Sequence, residues 1–546
     1  MSRLRNSPWA VLFVLCMGFF MVLLDLTIVN IAIPSMIRDL SAGLDQILWV
    51  VNAYTLTYAV LLITASRLGD RFGQRNLFVI GLVVFTLSSA ACGLSQTPGE
   101  LIGFRVAQAI GGALLTPQTT ALIMTIFPPQ ARGAAFGVWG AIAGIAATVG
   151  PILGGLLVTY IDWRWIFYVN VPIGAVAIVL SLLVIPNRRS ERYSPLAIVS
   201  VLLASAGLFC ICFGLIQGQS YEWGTFAHVA GIPLTIPESL VAGVLLLVAF
   251  FLWDARQPSP LVPHELLRNR NFSITSAMAS LLNFAMIGMF LPYTIFLQSA
   301  LGFSAIKAGL VLLPMSLASM ATAPLAGRLA DRVGGKYLTM AGMFGFALGM
   351  AIIDWEASTS TDFLTVLPGA VVAGLGMGFT FSPLVTTAMR DVPRPLSGAA
   401  SGLYNTIRQL GGAMGGAVVG AVLEVRLSAS LHAQAATQST ALPAAFRESF
   451  VKAFTNAGSG VLQAGAPSGV ANAHLPPEVL AQVAKLGQRV FELGYIDAMR
   501  PTILVPIAAL LLGALAALAL RRLPSTTAGA GQTAAPEAEE PVAVAE

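Results

Sequence analysis

The sequence predicts an all-α integral membrane protein with fourteen transmembrane helices, arranged as two pseudo-symmetric six-helix halves with two extra central helices. Three observations predict this architecture: an apolar composition, fourteen apolar windows long enough to cross a bilayer, and an internal repeat. Of the 546 residues, 56% are hydrophobic and 10% are charged, and the mean hydropathy is +0.80. Soluble proteins carry about 25% charged residues. The composition therefore excludes a soluble enzyme, a disordered chain and a nucleic-acid-binding protein.

The apolar windows give the number of spans. A helix needs about 20 apolar residues to cross about 30 Å of hydrocarbon. The first window has no small-residue cleavage site and is too long for a signal peptide, so we predict that it is span 1. The windows that predict spans 1 to 14 are 9–33, 47–66, 77–95, 101–126, 134–158, 166–185, 196–216, 238–253, 272–297, 305–326, 338–355, 363–389, 397–423 and 501–520.

The distribution of positive charge orients these spans. With a cytoplasmic N-terminus, nearly all Lys and Arg side chains of the short loops face the cytoplasm, as in the clusters at 67–75 and 188–192. The short loops on the other side contain only Arg38, Arg164 and Lys307. Because this asymmetry persists to the last span, the sequence predicts a multi-pass protein of the inner or plasma membrane with both termini in the cytoplasm. The net charge of +5 fits such loops better than a phosphate-binding surface.

The spans divide the chain into four predicted segments. These are an N-terminal six-helix bundle (1–190), two inserted central helices (191–260), a C-terminal six-helix bundle (261–522) and a disordered cytoplasmic tail (523–546). The tail is rich in Ala, Pro and Glu, a composition that buries too little apolar surface to fold.

The C-terminal bundle contains a predicted extracytoplasmic loop of unusual length, 424–500. Within it, Phe446, Phe450 and Phe454 recur every four residues, and an apolar stripe runs from Val479 to Leu493. Both spacings indicate helices. These helices either lie on the outer leaflet, cap an exit, or connect the spans with no further role.

The chain repeats one pattern in its two halves. Leu68–Gly73 recurs as Leu329–Gly334, and Pro117 corresponds to Pro383. Four glycines of the first half also have counterparts at matching positions of the second half, and spans 7 and 8 remain between the two copies. Parallel repeats of this kind are typical of transporters whose halves move around a site near the bilayer midplane.

The halves differ in their membrane-embedded charges. Asp25 lies in span 1 and Arg105 in span 4, whereas the corresponding positions of the second half are apolar. Arg408 in span 13 corresponds to Ala143 in the first half. A charged side chain at the centre of a membrane helix costs at least about 2.5–3.5 kcal/mol. Since a structural protein has little reason to keep such groups, they are candidate functional residues.

Five motifs connect the chain to a known family. In their order and spacing they resemble the fourteen-span drug:proton antiporters of the major facilitator superfamily, the EmrB/QacA type, over nearly the whole chain. Ser66 and Ala109 stand where that family usually has glycine. The motifs are Leu24–Pro34 in span 1, Ser66–Arg75 after span 2, Arg105–Gly112 in span 4, Gly150–Gly155 in span 5 and Trp163–Gly174 at the start of span 6.

The resemblance implies roles for these motifs. Asp25 is the candidate proton carrier, and Arg105 either changes its distance from Asp25 between states or forms a permanent ion pair with it that joins spans 1 and 4. The predicted hinge, or alternatively a packing surface, consists of Gly150, Pro151, Gly154 and Gly155. The predicted cytoplasmic gate, for which a plain stop-transfer charge cluster is the alternative, consists of Asp70, Arg71, Arg75, Asp331, Arg332 and Lys336. A carboxylate of this gate can pair with a neighbouring helix end.

A substrate cavity is expected to be apolar and aromatic, with few polar groups. Arg408 either stabilises a carboxylate or carbonyl oxygens at the inner gate or extends to the interface. The candidate cavity residues are Asn30, Tyr54, Tyr58, Asn283, Tyr293, Phe296, Gln298 and Phe381. Several methionines of the second half also suit an adaptable pocket, namely Met286, Met289, Met315, Met320, Met340 and Met343.

Together these features predict proton-coupled efflux of hydrophobic or amphiphilic small molecules by alternating access, driven by the proton motive force without a cofactor. A dedicated exporter of one endogenous metabolite, lipid or siderophore is the alternative. A membrane-embedded enzyme is a remote alternative, because the sequence has no HExxH, P-loop or GxSxG pattern. We therefore predict neither a catalytic residue nor a metal site. The expected partners are the substrate, protons and the lipid bilayer, without nucleic acid. A monomer is expected to function, and members of this family can also work with an adaptor and an outer-membrane channel.

Overall fold

The computed structural model describes residues 7–186, 197–229, 232–455 and 477–521. Within these residues, fourteen helices are long and apolar enough to cross a membrane, so the predicted number of spans is confirmed. The predicted disordered tail and residues 456–476 of the long outer segment lie outside the described residues.

Most helices are longer than the predicted windows, because hydropathy detects only the part of a helix that lies in hydrocarbon. Span 6 is preceded by the short helix Trp165–Tyr168. Spans 1 to 14 are the helices Pro8–Asp39, Leu44–Phe72, Gln74–Leu94, Pro98–Ile126, Arg132–Tyr160, Asn170–Val184, Ile198–Gln217, Ile236–Asp254, Arg270–Ile295, Ala305–Val333, Gly335–Glu356, Phe363–Arg390, Ser397–Gln438 and Pro477–Ala516.

The prediction of a loop over 424–500 is wrong at both of its ends. Span 13 continues as one helix to Gln438, and span 14 already begins at Pro477. At 1.5 Å per residue, the 42 residues of span 13 measure about 63 Å, roughly twice the hydrocarbon thickness. The first amphipathic pattern forms the separate helix Ala444–Thr455, and the second belongs to span 14 itself.

The projecting ends of spans 13 and 14 are helical because they share an apolar core with the helix Ala444–Thr455. The core residues, all buried, are Leu427, Leu431, Phe450, Phe454, Val490 and Phe491. Tyr495 also donates a hydrogen bond to the carbonyl oxygen of Pro292 in span 9, at 3.0 Å. These contacts fix the projecting segment, called here the outer helical extension, to the second half of the molecule.

The repeat in the sequence is also a repeat in helix packing. In the first half span 4 packs against spans 2 and 3, and span 1 packs against span 5. In the second half span 12 packs against spans 10 and 11, and span 9 packs against span 13. Each pairing is thus reproduced eight spans later, as expected if spans 7 and 8 were inserted between two copies of one six-helix bundle.

Two long helix pairs join the halves. Span 5 packs along span 10, and span 2 packs along span 13. Spans 7 and 8 pack against each other, and span 7 also contacts spans 2 and 13. An antiparallel hairpin of two strands, β1 (Thr225–Val229) and β2 (Ile232–Thr235), connects spans 7 and 8. The inserted helices therefore cover one of the two seams between the halves.

Candidate functional site

A buried charge network lies within the first half. Arg105 in span 4 forms an ion pair with the Oδ2 atom of Asp25 in span 1. Gln108 donates to the Oδ1 atom of Asp25 at 2.8 Å, and its own Oε1 atom accepts a hydrogen bond from Arg105 at 2.7 Å. All three side chains are 0–1% exposed. Both oxygens of the carboxylate are thus bonded inside the protein.

The guanidinium of Arg105 has further support. Its Nε atom donates to the carbonyl oxygen of Val50 at 3.2 Å, and its charge lies 4.1 Å from the centroid of the Tyr54 ring. These contacts belong to span 2. If the ion pair opened, Arg105 would still be held by a carbonyl oxygen and an aromatic face. The network therefore connects spans 1, 2 and 4.

Gln108 is a site residue that sequence reasoning did not single out. It follows Arg105 by three residues, and residues three apart share one helix face. That spacing inside the Arg105–Gly112 motif was the signal that could have identified it. In this conformation the Asp25–Arg105 contact matches the ion-pair alternative stated above, and the assignment of Asp25 as a proton carrier stays a prediction.

The two gate carboxylates each lie against the start of a helix in the opposite half. Asp331, at the end of span 10, accepts a hydrogen bond from the backbone N–H of Gly133 at 3.1 Å, in the first turn of span 5. Asp70, at the end of span 2, lies against Gly398 in the first turn of span 13. An anion is stabilised at a helix N-terminus by the helix dipole and the free N–H groups. Asp331 therefore links the two halves by a hydrogen bond at this end of the molecule, and Asp70 contacts the opposite half there.

Two serines repeat the same cross-half geometry. Ser66 donates to the carbonyl oxygen of Gly398 at 2.6 Å, and Ser382 donates to that of Gly133 at 3.2 Å. Gly133 also lies so close to Gly327 in span 10 that a Cβ atom at either position would collide with the other's carbonyl oxygen. The halves are consequently closed at the end that the charge distribution assigns to the cytoplasm.

The basic gate residues act mainly on other helix ends. Arg75 donates to the carbonyl oxygen of Leu182 at the end of span 6, at 2.7 Å, and Lys336 donates to that of Leu520 after span 14, at 2.8 Å. A cation at a helix C-terminus is favourable for the same dipolar reason. Arg71 lies over the ring of Phe72, while Arg332 is exposed.

Asp70 also has an ion-pair partner in its own helix. The partner is Arg67, one turn earlier in span 2, at 3.7 Å. Arg67 also donates to the carbonyl oxygen of Leu261, at 3.0 Å, in the segment that leads from span 8 to span 9. The helix period explains the pair, because a residue three positions before Asp70 lies on the same helix face.

The glycine motif of span 5 packs closely in this conformation. Gly150 and Gly154 lie against Thr27 and Ile28 of span 1, and Gly155 lies against Ile306 of span 10. Span 5 remains a continuous helix through Pro151. Close packing accounts for these glycines here, and their use as a hinge stays a prediction.

A model of one protein family matches this chain over residues 15–416, and the description of that family is Major Facilitator Superfamily. The chain belongs to the major facilitator superfamily. An uncharacterized MFS-type transporter of Mycobacterium tuberculosis is 39% identical over 419 residues, which cover 76% of this chain and 70% of the relative.

Two relatives from Streptomyces have names that state a function. A tetracenomycin C resistance and export protein of Streptomyces glaucescens is 34% identical over 421 residues, covering 76% of this chain and 75% of the relative. A puromycin resistance protein of Streptomyces alboniger is 36% identical over 410 residues, covering 74% and 80%. The predicted kinship with drug-efflux members of the superfamily is therefore confirmed.

The fold agrees with solved structures of the superfamily. The human organic anion transporter MFSD10 (TETRAN) superposes with a TM-score of 0.57 at 12% identity, covering 92% of this chain and 99% of that one. At this identity the likeness shows the fold alone. The predicted major facilitator fold is confirmed.

This major facilitator has a small cavity between spans 5, 9, 10 and 12, which we call the methionine cavity. It has a volume of about 110 Å³ and is lined in part by Met286, Met289, Met315 and Met377. Three of these are among the methionines noted in the sequence. Drug-sized ligands occupy pockets of about 300–1,000 Å³. The cavity in this conformation is therefore too small for such a ligand.

A second cavity of about 240 Å³ lies at the other seam, between spans 2, 7, 9 and 13. None of the eight predicted cavity residues lines either of these two cavities, as far as the described residues define them. The assignment of those eight side chains to a substrate cavity therefore stays a prediction.

The positions of these eight residues are as follows. Tyr58 donates to Thr116 at 2.9 Å, Asn283 donates to the carbonyl oxygen of Arg408 at 2.9 Å, and Tyr293 donates to that of Met350 at 3.3 Å. Tyr54 and Phe296 are buried, Gln298 is half-buried, and Asn30 is exposed. Phe381 lies between the halves, in the cluster described next.

An aromatic cluster separates the methionine cavity from the closed end. Trp139 of span 5 stacks on Phe19 of span 1, with ring centroids 4.2 Å apart, and on Phe381 of span 12, at 5.3 Å. The guanidinium of Arg408 lies 6.0 Å from the centroid of Phe381. We call Phe19, Trp139 and Phe381 the inner aromatic stack. Sequence reasoning did not assign Trp139 to the site, and its signal was a position inside a span rather than at a span end.

Proposed function

We propose that this transporter exports hydrophobic or amphiphilic small molecules from the cytoplasm in exchange for protons. It acts by alternating access across the cytoplasmic membrane, with both termini in the cytoplasm, as a monomer and without a cofactor or an enzymatic step. The observation that carries the proposal is the buried network of Asp25, Arg105 and Gln108. The names of the Streptomyces relatives support the direction of transport.

The network can couple proton binding to movement. In this conformation Asp25 contacts Arg105, and this pairing avoids the cost of leaving a buried charge without a partner. A proton on Asp25 removes the Coulombic attraction to Arg105, while Val50 and Tyr54 still hold the guanidinium. Protonation thus loosens the link between spans 1 and 4 without leaving Arg105 unsupported. A carboxyl that takes its proton from outside and loses it inside would drive the cycle in one direction.

The driving force is large enough for efflux. Moving one positive charge through 100 mV supplies about 2.3 kcal/mol, and one pH unit adds about 1.4 kcal/mol. Together they sustain a substrate gradient of several hundred-fold for one proton per substrate. The cross-half hydrogen bonds of Asp331 and Ser66 support the closure that alternating access requires at the cytoplasmic end.

The test is proton-driven transport in proteoliposomes with an imposed pH gradient, using the dye Hoechst 33342 as substrate. We expect Asp25→Asn to bind the dye but to lose at least about 90% of the gradient-driven transport, since the side chain can no longer be ionised. Asp39→Asn is the matched control, because Asp39 is the exposed end of a weaker surface pair with Arg164. Undiminished gradient-driven transport by Asp25→Asn would reject the assignment of the proton carrier.

A dedicated exporter of one compound is the second candidate. It is favoured by the relatives whose names contain a single antibiotic each. A panel of chemically unrelated compounds in the same proteoliposomes separates the two functions. Transport of many compounds at comparable rates supports multidrug efflux, whereas transport of one compound with the others inert supports the dedicated exporter.

A further inference from the structure

The inner aromatic stack has hydrogen-bonding capacity that the protein itself does not use. The Nε1 atom of Trp139 is buried and donates to no acceptor among residues 7–186, 197–229, 232–455 and 477–521. The residue is 1% exposed. A buried indole N–H normally has a partner, and leaving one without an acceptor costs free energy.

Arg408 adds a second unsatisfied donor to the same cluster. It is 9% exposed, and its Nε atom has no acceptor in the described part of the chain. Its Nη2 atom is 3.4 Å from the Oδ1 atom of Asn405, one turn earlier in span 13. Unlike Arg105, it forms no ion pair with a carboxylate of the described residues. The side chains that carry these two donors both lie beside the ring of Phe381, one from each half of the molecule.

The stack lies where a substrate would enter from the cytoplasm. On span 5, Gly137 contacts span 10 on the closed side of Trp139, while Gly144 lines the methionine cavity on the other side. On span 12, Met377 lines that cavity one helical turn before Phe381. The stack therefore lies between the methionine cavity and the closed end.

Opening the cytoplasmic end must separate spans 5 and 12, because they belong to different halves. Separation would remove Phe381 from Trp139 and expose a face of each ring to the cavity. It would also enlarge a space that is too small for a ligand in this conformation.

From this geometry we infer that Trp139 and Phe381 form an aromatic slot in the cytoplasm-open state, which selects flat aromatic compounds that carry an oxygen acceptor. In the closed state the rings of Trp139 and Phe381 stack on each other. In the open state the flat ring system takes the place of the partner ring, and its oxygen accepts hydrogen bonds from Trp139 and Arg408. This inference rests on the proposed function and specifies its substrate class.

The test measures binding to the purified full-length protein in nanodiscs at equal pH on both sides. The probe is tritiated xanthone, a flat tricyclic ketone. Xanthene, which has the same rings without the carbonyl group, and dicyclohexyl ketone, which has a carbonyl group without flat rings, serve as competitors. We expect the wild-type protein to prefer xanthone to each competitor by about five-fold or more, as one hydrogen bond and one aromatic contact suggest.

Three variants separate the contributions. Trp139→Phe keeps the aromatic face and loses the donor, so the preference for xanthone over xanthene should fall about five-fold while the preference for flat rings persists. Trp139→Leu and Phe381→Leu should each lose the preference for flat rings. Phe344→Leu is the matched control, because Phe344 of span 11 is exposed and lies outside both the methionine cavity and the stack, and its preferences should be those of the wild type.

The inference is overturned if wild-type protein shows no preference for xanthone, or if Trp139→Phe, which changes the packing least, retains the full preference over xanthene. Because binding is measured without a proton gradient, the two proposals fail separately. Transport that proves independent of protons would reject the proposed function and leave the slot standing. Proton-driven export with no xanthone preference would reject the slot alone.

Discussion

The cross-half hydrogen bond of Asp331 leads to a quantitative prediction for Asp331→Asn. The carboxylate accepts from the backbone N–H of Gly133 at 3.1 Å, in the first turn of span 5. A hydrogen bond to a charged group contributes about 1.5–3 kcal/mol, and a neutral one about 0.5–1.5 kcal/mol. The substitution keeps an acceptor but removes the charge, so it should destabilise the closed cytoplasmic end by about 1–1.5 kcal/mol.

That loss corresponds to a shift of about five- to ten-fold in the ratio of open to closed molecules. The assay is double electron–electron resonance, which measures the distance between spin labels attached at Gln130→Cys and Arg328→Cys. Both positions are exposed and lie near the ends of spans 5 and 10. The four native cysteines, all free in the described structure, are first replaced by serine. We expect a longer-distance population that grows in Asp331→Asn.

The matched control is Asp391→Asn, which neutralises an exposed carboxylate at the same end of the molecule. Its distance distribution should equal that of the parent. If Asp331→Asn gives the parental distribution as well, the capping of span 5 does not contribute to closure, and the reasoning is refuted.

Two further predictions concern stability. Leu431→Ala should destabilise the outer helical extension by about 2–5 kcal/mol, because Leu431 is buried at 2% exposure between spans 13 and 14. Faster amide hydrogen exchange confined to that extension would show this loss. Unchanged exchange would contradict the prediction. At the start of span 12, hydrogen bonds from Thr365 lower the pKa of Asp362, so this cap stabilises the helix above the ordinary pKa and is lost as the pH falls through the lowered value. Exchange at the first turn of span 12 should therefore accelerate on acidification below about pH 4, and Asp362→Asn should remove this dependence.

The local sequence pattern was sufficient to identify part of the candidate site. Asp25 and Arg105 were identified because a charge in an apolar window is costly wherever the window packs. Gln108 was not identified, because a neutral amide in a helix has no comparable energetic cost that would mark it before its partner is known. The lining of a cavity could not be predicted in the same way, because the direction of a side chain depends on which helix lies opposite it. The loop over 424–500 was mistaken because hydropathy detects hydrocarbon, whereas the outer helical extension is stabilised by packing of spans 13 and 14 against each other.

Composition, hydropathy and the internal repeat were sufficient to predict the number of membrane helices and the two related halves. The family was indicated by the resemblance of the five motifs. The residues that contact each other across the two halves could be identified only from the folded molecule. Asp331 meets Gly133, Asp70 meets Gly398, and Trp139 meets Phe381 only because helices far apart in the chain are brought side by side. Periodicity reports which face of a helix is apolar, but the energy of a contact between two helices depends on their relative register, which no single segment encodes.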